Sequence, residues 1–224
     1  MLDWKPGASI EHLKARARLL EQIRLFFSGK NVLEVETPLL APTTTTDVYI
    51  ESFEVHNYSV NEQSAFFLQT SPEFAMKRLL AANSGAIYQI CKAFRKGESS
   101  KRHNCEFSML EWYQPGYSMS DLMEEVEELV STLLDCGTIT RLSYRELFQQ
   151  YLTFDPHAIS LETLKIRAEA EMDFSSDDLS KTDYLQMLLA KCIEPQMPKN
   201  CFVYDFPVEQ AALAVIDLAG PGRF

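Results

Sequence analysis

Apolar residues recur at helical spacing near the start of the chain. Ile10, Leu13, Ala17 and Leu20, with Arg24 continuing the row, predict an amphipathic helix to about residue 28. Ser9 is placed to cap its start and Gly29 to end it. The period then shortens to two. Val32, Glu34 and Glu36 alternate with Leu33 and Val35, which predicts a strand over residues 32–36 that Pro38 stops. Residues 41–47 read as an exposed loop, and residues 48–55 and 65–70 as strands joined by a polar turn. Ser71, Pro72 and Glu73 then supply the cap, first position and first turn of a second helix, which ends near residues 83–85.

Residues 86–94 and 105–113 predict two strands around a polar, basic segment, a hairpin with a long loop. Ser120 opens an acidic amphipathic helix to about residue 134, in which Glu124, Glu125, Glu127 and Glu128 read as the solvated face. Helical patterns return at 143–151, 160–172 and 180–193, before a strand at 202–206. Strands grouped early and helices grouped late, with no internal repeat, predict an α+β fold with a helical insertion.

Composition narrows the classes. The chain is 46% apolar and 24% charged, which fits an ordinary globular protein. Its apolar runs are far shorter than the roughly 20 residues of a membrane helix, and residues 1–6 lack the pattern of a secretory signal. No membrane partner is expected, and a cytoplasmic location is. The five cysteines are scattered without a Cys-x-x-Cys pair and are expected to be reduced. The four histidines have no metal-ligand spacing, so no metal ligand is assigned. A net charge of -11 disfavours a surface that grips a polyanion, so tRNA is not expected as a partner. One local exception stands out: Lys92, Arg95, Lys96, Lys101 and Arg102 lie close together, with His103 beside them.

That exception falls on the hairpin. Arg95 sits where the first strand ends, and a guanidinium offers a planar fork of donors suited to phosphate oxygens. On the returning strand Phe107 and Glu111 share a face, while Glu106 points the other way. Composition alone still favours a solvated surface hairpin with a core phenylalanine.

The order of residues changes that balance. Phe94-Arg95-x-x-Glu98 followed by His103-Asn104-x-Glu106-Phe107-x-x-Leu110-Glu111-Trp112-Tyr113 resembles motif 2 of the class II aminoacyl-tRNA synthetases, in their lysyl branch. Val32-Leu33-Glu34-Val35-Glu36-Thr37-Pro38 and the helix before it resemble motif 1, and Leu68-Gln69-Thr70-Ser71-Pro72-Glu73-Phe74-x-Met76-Lys77-Arg78-Leu79-Leu80 resembles the segment with the amino-group-binding glutamate. Phe202-Val203-x-Asp205-x-Pro207 looks like the strand after the insertion. The match covers about residues 10–213. With the first helix beginning by residue 10 there is no room for an anticodon-binding barrel, and the chain is similar to the free-standing elongation factor P (R)-β-lysine ligases.

The resemblance implies one class II synthetase-like catalytic domain over residues 1–224: an antiparallel sheet flanked by helices, with motif 1 at about 10–38, motif 2 at about 86–113 and a helical insertion at about 119–200. It implies ATP and Mg2+ as cofactors, lysine or (R)-β-lysine as substrate, elongation factor P as acceptor and a homodimer joined through motif 1. Arg95 is the implied catalytic residue on the α-phosphate, Phe107 the adenine stack, Glu98 the adenine-side carboxylate and His103 a contact to the outer phosphates. Glu73, with Ser71 beside it, is implied for the amino group, and Glu111 and Tyr113 for the side-chain ammonium. Trp112 is expected as core or pocket wall. The metal carboxylates and the Gly-rich motif 3 are not found after residue 213, so the catalytic domain is expected to be incomplete and the 224 residues nearly inactive. Transfer to tRNA and a catalytically dead binding remnant remain as alternatives.

Overall fold

A computed structural model describes residues 4–47, 49–56, 65–101, 103–172, 176 and 178–216. Two compact units divide the chain, residues 1–133 and residues 134–224.

The first unit is built on the predicted hairpin. Its strands are β5 (Ile87–Phe94) and β6 (Glu106–Tyr113), paired over eight positions from Ile87↔Tyr113 to Phe94↔Glu106. Helix α1 (Ile10–Gly29) and helix α3 (Met119–Leu133) cover one face of it. Phe27 of α1 is fully buried there, stacked on Tyr88 at 4.5 Å and 16° and tilted against Trp112 at 5.5 Å. Ile23, Val32 and Leu129 complete this core, with Ile90 and Leu110 packed against it.

Strand β1 (Leu33–Glu34) joins β5 in parallel, so the first sheet runs β1-β5-β6 and is mixed. A second, antiparallel sheet orders β2 (Leu40–Ala41), β4 (Ala65–Leu68) and β3 (Glu54–His56) as β2-β4-β3. Helix α2 (Glu73–Ala81) follows β4 and leads into β5.

The second unit is mainly helical. Strand β7 (Thr140–Ser143) pairs in parallel with β8 (Cys201–Tyr204), and the crossover between them holds α4 (Tyr144–Leu152), α5 (Leu161–Met172) and α6 (Lys181–Leu188). A parallel pair needs such a crossover. Tyr144, Leu147, Phe148, Leu164, Tyr184, Leu185 and Leu188 form its core. Two serines cap its helices reciprocally: Ser143 with Glu146, and Ser180 with Asp183.

The α+β class and the late helices agree with the sequence, but several details do not. The described strands form three small sheets, two containing parallel pairs, instead of one antiparallel sheet. β7 was not anticipated because Thr140-Arg141-Leu142-Ser143 is short and half polar. The strand expected at 32–36 is Leu33–Glu34, and the one at 48–55 is Glu54–His56; Val48 and the turn at 57–64 lie outside the described residues. Ser9 does cap α1, but the helix buries Ile23 and Phe27 while Ile10 and Leu13 stay exposed. Large residues at the C-terminal half decide its inward face, not the row that begins at Ile10. The left-handed turn after α1 is taken by Asn31, φ 57°, not by Gly29; asparagine tolerates this region. Ser118, not Ser120, closes the start of α3 through Asp121. Pro72 occupies the cap position of α2, leaving Ser71 with one long contact to the Glu73 N–H at 3.4 Å.

The acidic run on α3 is not uniformly solvated either. Glu125 is only 3% exposed and accepts hydrogen bonds from Trp112 and Gln114. Helical spacing turns this one member of the run inward, where two donors satisfy it.

Candidate functional site

Only one face of the hairpin is free to carry chemistry. Cross-strand partners share a face, so the pairs Ala93↔Phe107, Gln89↔Glu111 and Ile87↔Tyr113 place Phe107, Glu111 and Tyr113 away from the α1 and α3 core. The floor beneath them is dry: Ile87 and Ala93 are fully buried, and Gln89 is 2% exposed. The Gln89 amide oxygen is satisfied by the Thr37 hydroxyl at 3.0 Å.

At one end of this face stands Arg95. Its backbone N–H donates to the Cys105 carbonyl at 2.9 Å and closes the hairpin, and its Nε donates to the buried Thr70 carbonyl at 3.3 Å. The guanidinium lies 5.2 Å from the Phe107 ring centroid, and Nη1 is 3.7 Å from Glu98 Oε1. An aromatic face, a carboxylate and a main-chain acceptor thus orient one cationic fork. His103 is held within its own loop, with Nδ1 2.9 Å from the Ser100 hydroxyl. Among the described residues its hydrogen bonds are to Ser100 and not to Arg95.

The other end carries acid. The Tyr113 hydroxyl donates to Glu111 Oε1 at 2.7 Å, and on α2 the Lys77 ammonium lies 2.6 Å from Glu73 Oε1. Glu73 and Lys77 both reach Glu111 electrostatically. Glu111 lies four positions after Phe107, about 13 Å along a strand. The face therefore offers a ring and a cation at one end and two carboxylates at the other.

The family model for class II tRNA synthetases (D, K and N) matches residues 1–217. The chain is 46% identical over 230 residues to an elongation factor P–(R)-β-lysine ligase of Pseudoalteromonas translucida, covering 99% of this chain and 71% of that protein. It is 45% identical to proteins of the same name in Vibrio cholerae and Buchnera aphidicola, covering 98% and 97% of this chain and 69% of each relative. The chain belongs to the class II tRNA synthetase family, among its elongation factor P–(R)-β-lysine ligases. Membership of the class II synthetases implies use of ATP.

Burial pushes the Glu111 carboxyl up; the Tyr113 hydrogen bond draws it back, Glu73 raises it further and Lys77 lowers it. Tyr113 is pushed up by burial and then by its bond to Glu111, so it stays protonated and donating at neutral pH. Among the described residues no group of three or more His, Cys, Asp or Glu could hold a metal ion. They do not by themselves make a magnesium site.

Several neighbours were not singled out from sequence as parts of the site. Lys77 and Thr70 sit inside the matched motif, but only tertiary structure brings Thr70 to Arg95 and Lys77 toward Glu111. Gln69 donates to the Lys92 carbonyl at 2.8 Å and lies 3.4 Å from Cys91 Sγ, tying the start of α2 to the hairpin floor. No helix of the described residues is long and apolar enough to cross a membrane.

Proposed function

We propose that this chain activates lysine or (R)-β-lysine with ATP and transfers it to a lysine side chain of elongation factor P. The observation that carries this reading is the two-ended face of the hairpin, with Arg95 and Phe107 at one end and Glu111 and Tyr113 at the other.

In the first step a carboxylate oxygen of the amino acid attacks the α-phosphorus of ATP, forming the aminoacyl-adenylate as pyrophosphate leaves. Arg95 stabilises charge on the α-phosphate oxygens. Its fork is fixed before the reaction, so little reorganisation is required. Phe107 stacks on adenine, Glu98 serves the adenine side and His103 meets the outer phosphates. Glu73 pairs with the substrate amino group, with Ser71 at its backbone, while Glu111 and Tyr113 receive the side-chain ammonium. In the second step the ε-amine of the acceptor lysine attacks the adenylate carbonyl, an amide forms and AMP departs.

The same reading takes residues 1–224 as catalytic-domain sequence, with motif 1 at about 10–38, motif 2 at about 86–113 and an insertion at about 119–200. It includes a homodimer, supported by the exposed Ile10, Leu13, Leu25 and Leu33 of motif 1. It places the protein in the cytoplasm. Magnesium would offset the charge of the ATP phosphates in this reaction. The net charge of -11 favours a protein acceptor over tRNA.

Incubation of full-length protein with ATP and labelled (R)-β-lysine or lysine, in the presence of elongation factor P or tRNA, tests the proposal. Label on elongation factor P is expected. Charging of tRNA alone would overturn the acceptor. Label on neither acceptor, with no pyrophosphate exchange driven by lysine or (R)-β-lysine, would favour the catalytically dead binding remnant.

A further inference from the structure

The far side of β6 holds a buried carboxylate for which the proposed reaction has no use. Trp112 lies between Glu111 and Tyr113 in sequence but points to the opposite face. Its indole N–H donates to Glu125 Oε2 at 2.9 Å, and the Gln114 amide donates to Oε1 of the same carboxylate at 2.8 Å. Both oxygens of one α3 side chain therefore grip the two residues that flank Tyr113.

Burying a carboxylate is costly, and packing alone would be served by an apolar residue. The nearest cation recorded for it, Lys30, lies 3.9 Å away and is closer to Glu128, at 2.6 Å. Its two hydrogen bonds are thus the main compensation for burying Glu125. Trp112 also packs against Phe27, with ring centroids 5.5 Å apart. A strand residue gripped at its tip cannot rotate or slide without moving its neighbours, and those neighbours face the amine pocket.

We infer that Glu125 is a positioning residue for amino-acid recognition: by clamping Trp112 and Gln114 it fixes the height and angle at which Glu111 and Tyr113 meet the substrate ammonium. This rests on the proposed reading of the Glu111 end as an amine site. It predicts an effect on amine binding and little on ATP, whose contacts lie at the other end of the strand.

The test uses the full chain and four variants: Glu125→Gln, Glu125→Leu, Trp112→Phe and the double variant Trp112→Phe with Glu125→Leu. Binding of lysine, (R)-β-lysine and ATP is measured by calorimetry, stability by thermal unfolding, and opening of residues 111–113 by amide hydrogen exchange. Glu125→Leu is expected to bind the amino acids about tenfold more weakly with ATP affinity unchanged, and to exchange faster at residues 111–113. Glu125→Gln keeps one acceptor and should lie between Glu125→Leu and wild type. The double variant removes an unsatisfied donor along with its acceptor and should recover stability, yet still bind amino acid weakly.

Recovery of amino-acid affinity together with stability in the double variant would reduce Glu125 to a structural role and overturn the inference. Equal losses for ATP and amino acid would do the same. If wild type binds no amino acid, the reading of the pocket fails. The clamp is then decided by exchange alone, and unchanged exchange at residues 111–113 in Glu125→Leu refutes it.

Discussion

The Lys77 ammonium lies 2.6 Å from the Glu73 carboxylate, one turn along α2, and its field also reaches Glu111. The chain's own amine thus sits where the proposed substrate amine would be received, and it offsets the repulsion between two carboxylates.

Replacing it should therefore help binding. Lys77→Met is expected to bind lysine and (R)-β-lysine about threefold more tightly, the scale of a half-exposed ion pair. Calorimetric titration against wild type measures this. A loss of affinity would show instead that Lys77 supports the pocket.

Amine binding should also depend on pH through Glu111. Its folded-state pKa lies above the ordinary 4.5, chiefly through burial. The folded chain thus holds this proton more tightly than the unfolded one, and the contribution of Glu111 to stability declines as pH rises from 4.5 through the raised value. Binding of an ammonium needs the ionised form and moves the other way, strengthening over the same window. Lysine titrations at about pH 5 and about pH 7 should differ in wild type, and the difference should shrink in Glu111→Gln. A pH dependence identical in both proteins would remove Glu111 from the amine site.

Arg95 and Phe107 should act on the nucleotide alone. Arg95→Ala removes the proposed charge-assisted bond to phosphate and is expected to weaken ATP binding roughly 10- to 100-fold. Arg95→Lys keeps charge without the planar fork and should recover only part of this. Phe107→Ala should cost about 1–3 kcal/mol of base stacking. Equilibrium binding of a fluorescent ATP analogue reads all three, and unchanged affinity in Arg95→Ala would exclude it from the phosphate site.

In the second unit, Ser143→Ala should lower stability by about 1 kcal/mol, because the serine and Glu146 cap α4 reciprocally. The Ser143 N–H and hydroxyl bonds hold the Glu146 carboxyl below its usual 4.5. Its contribution is present above that value and disappears as pH falls through the lowered one. Thermal melts of wild type and variant should therefore converge in acid. Melts that stay a constant distance apart would separate the serine's effect from Glu146.

Sequence by itself determined the local architecture and the chemistry available to it. Strand candidates at 86–94 and 105–113 around a basic segment marked the hairpin, helical periodicity located α4, α5 and α6, and the order of residues from Phe94 to Tyr113 marked a class II synthetase motif. These are short-range properties, carried by the alternation of side chains and by cap residues. Tertiary structure decided which faces were inward. It buried Ile23 and Phe27 instead of the row from Ile10, paired β1 with β5 and β7 with β8 in parallel across long connections, and turned Glu125 from an apparent surface acid into a clamp on Trp112. Each of these depends on partners more than about 10 positions away, as with Trp112 and Glu125, Leu33 and Ile87 or Phe27 and Trp112. No local pattern encodes such a distance, because hydrogen bonding and burial select among faces only when the second partner is present.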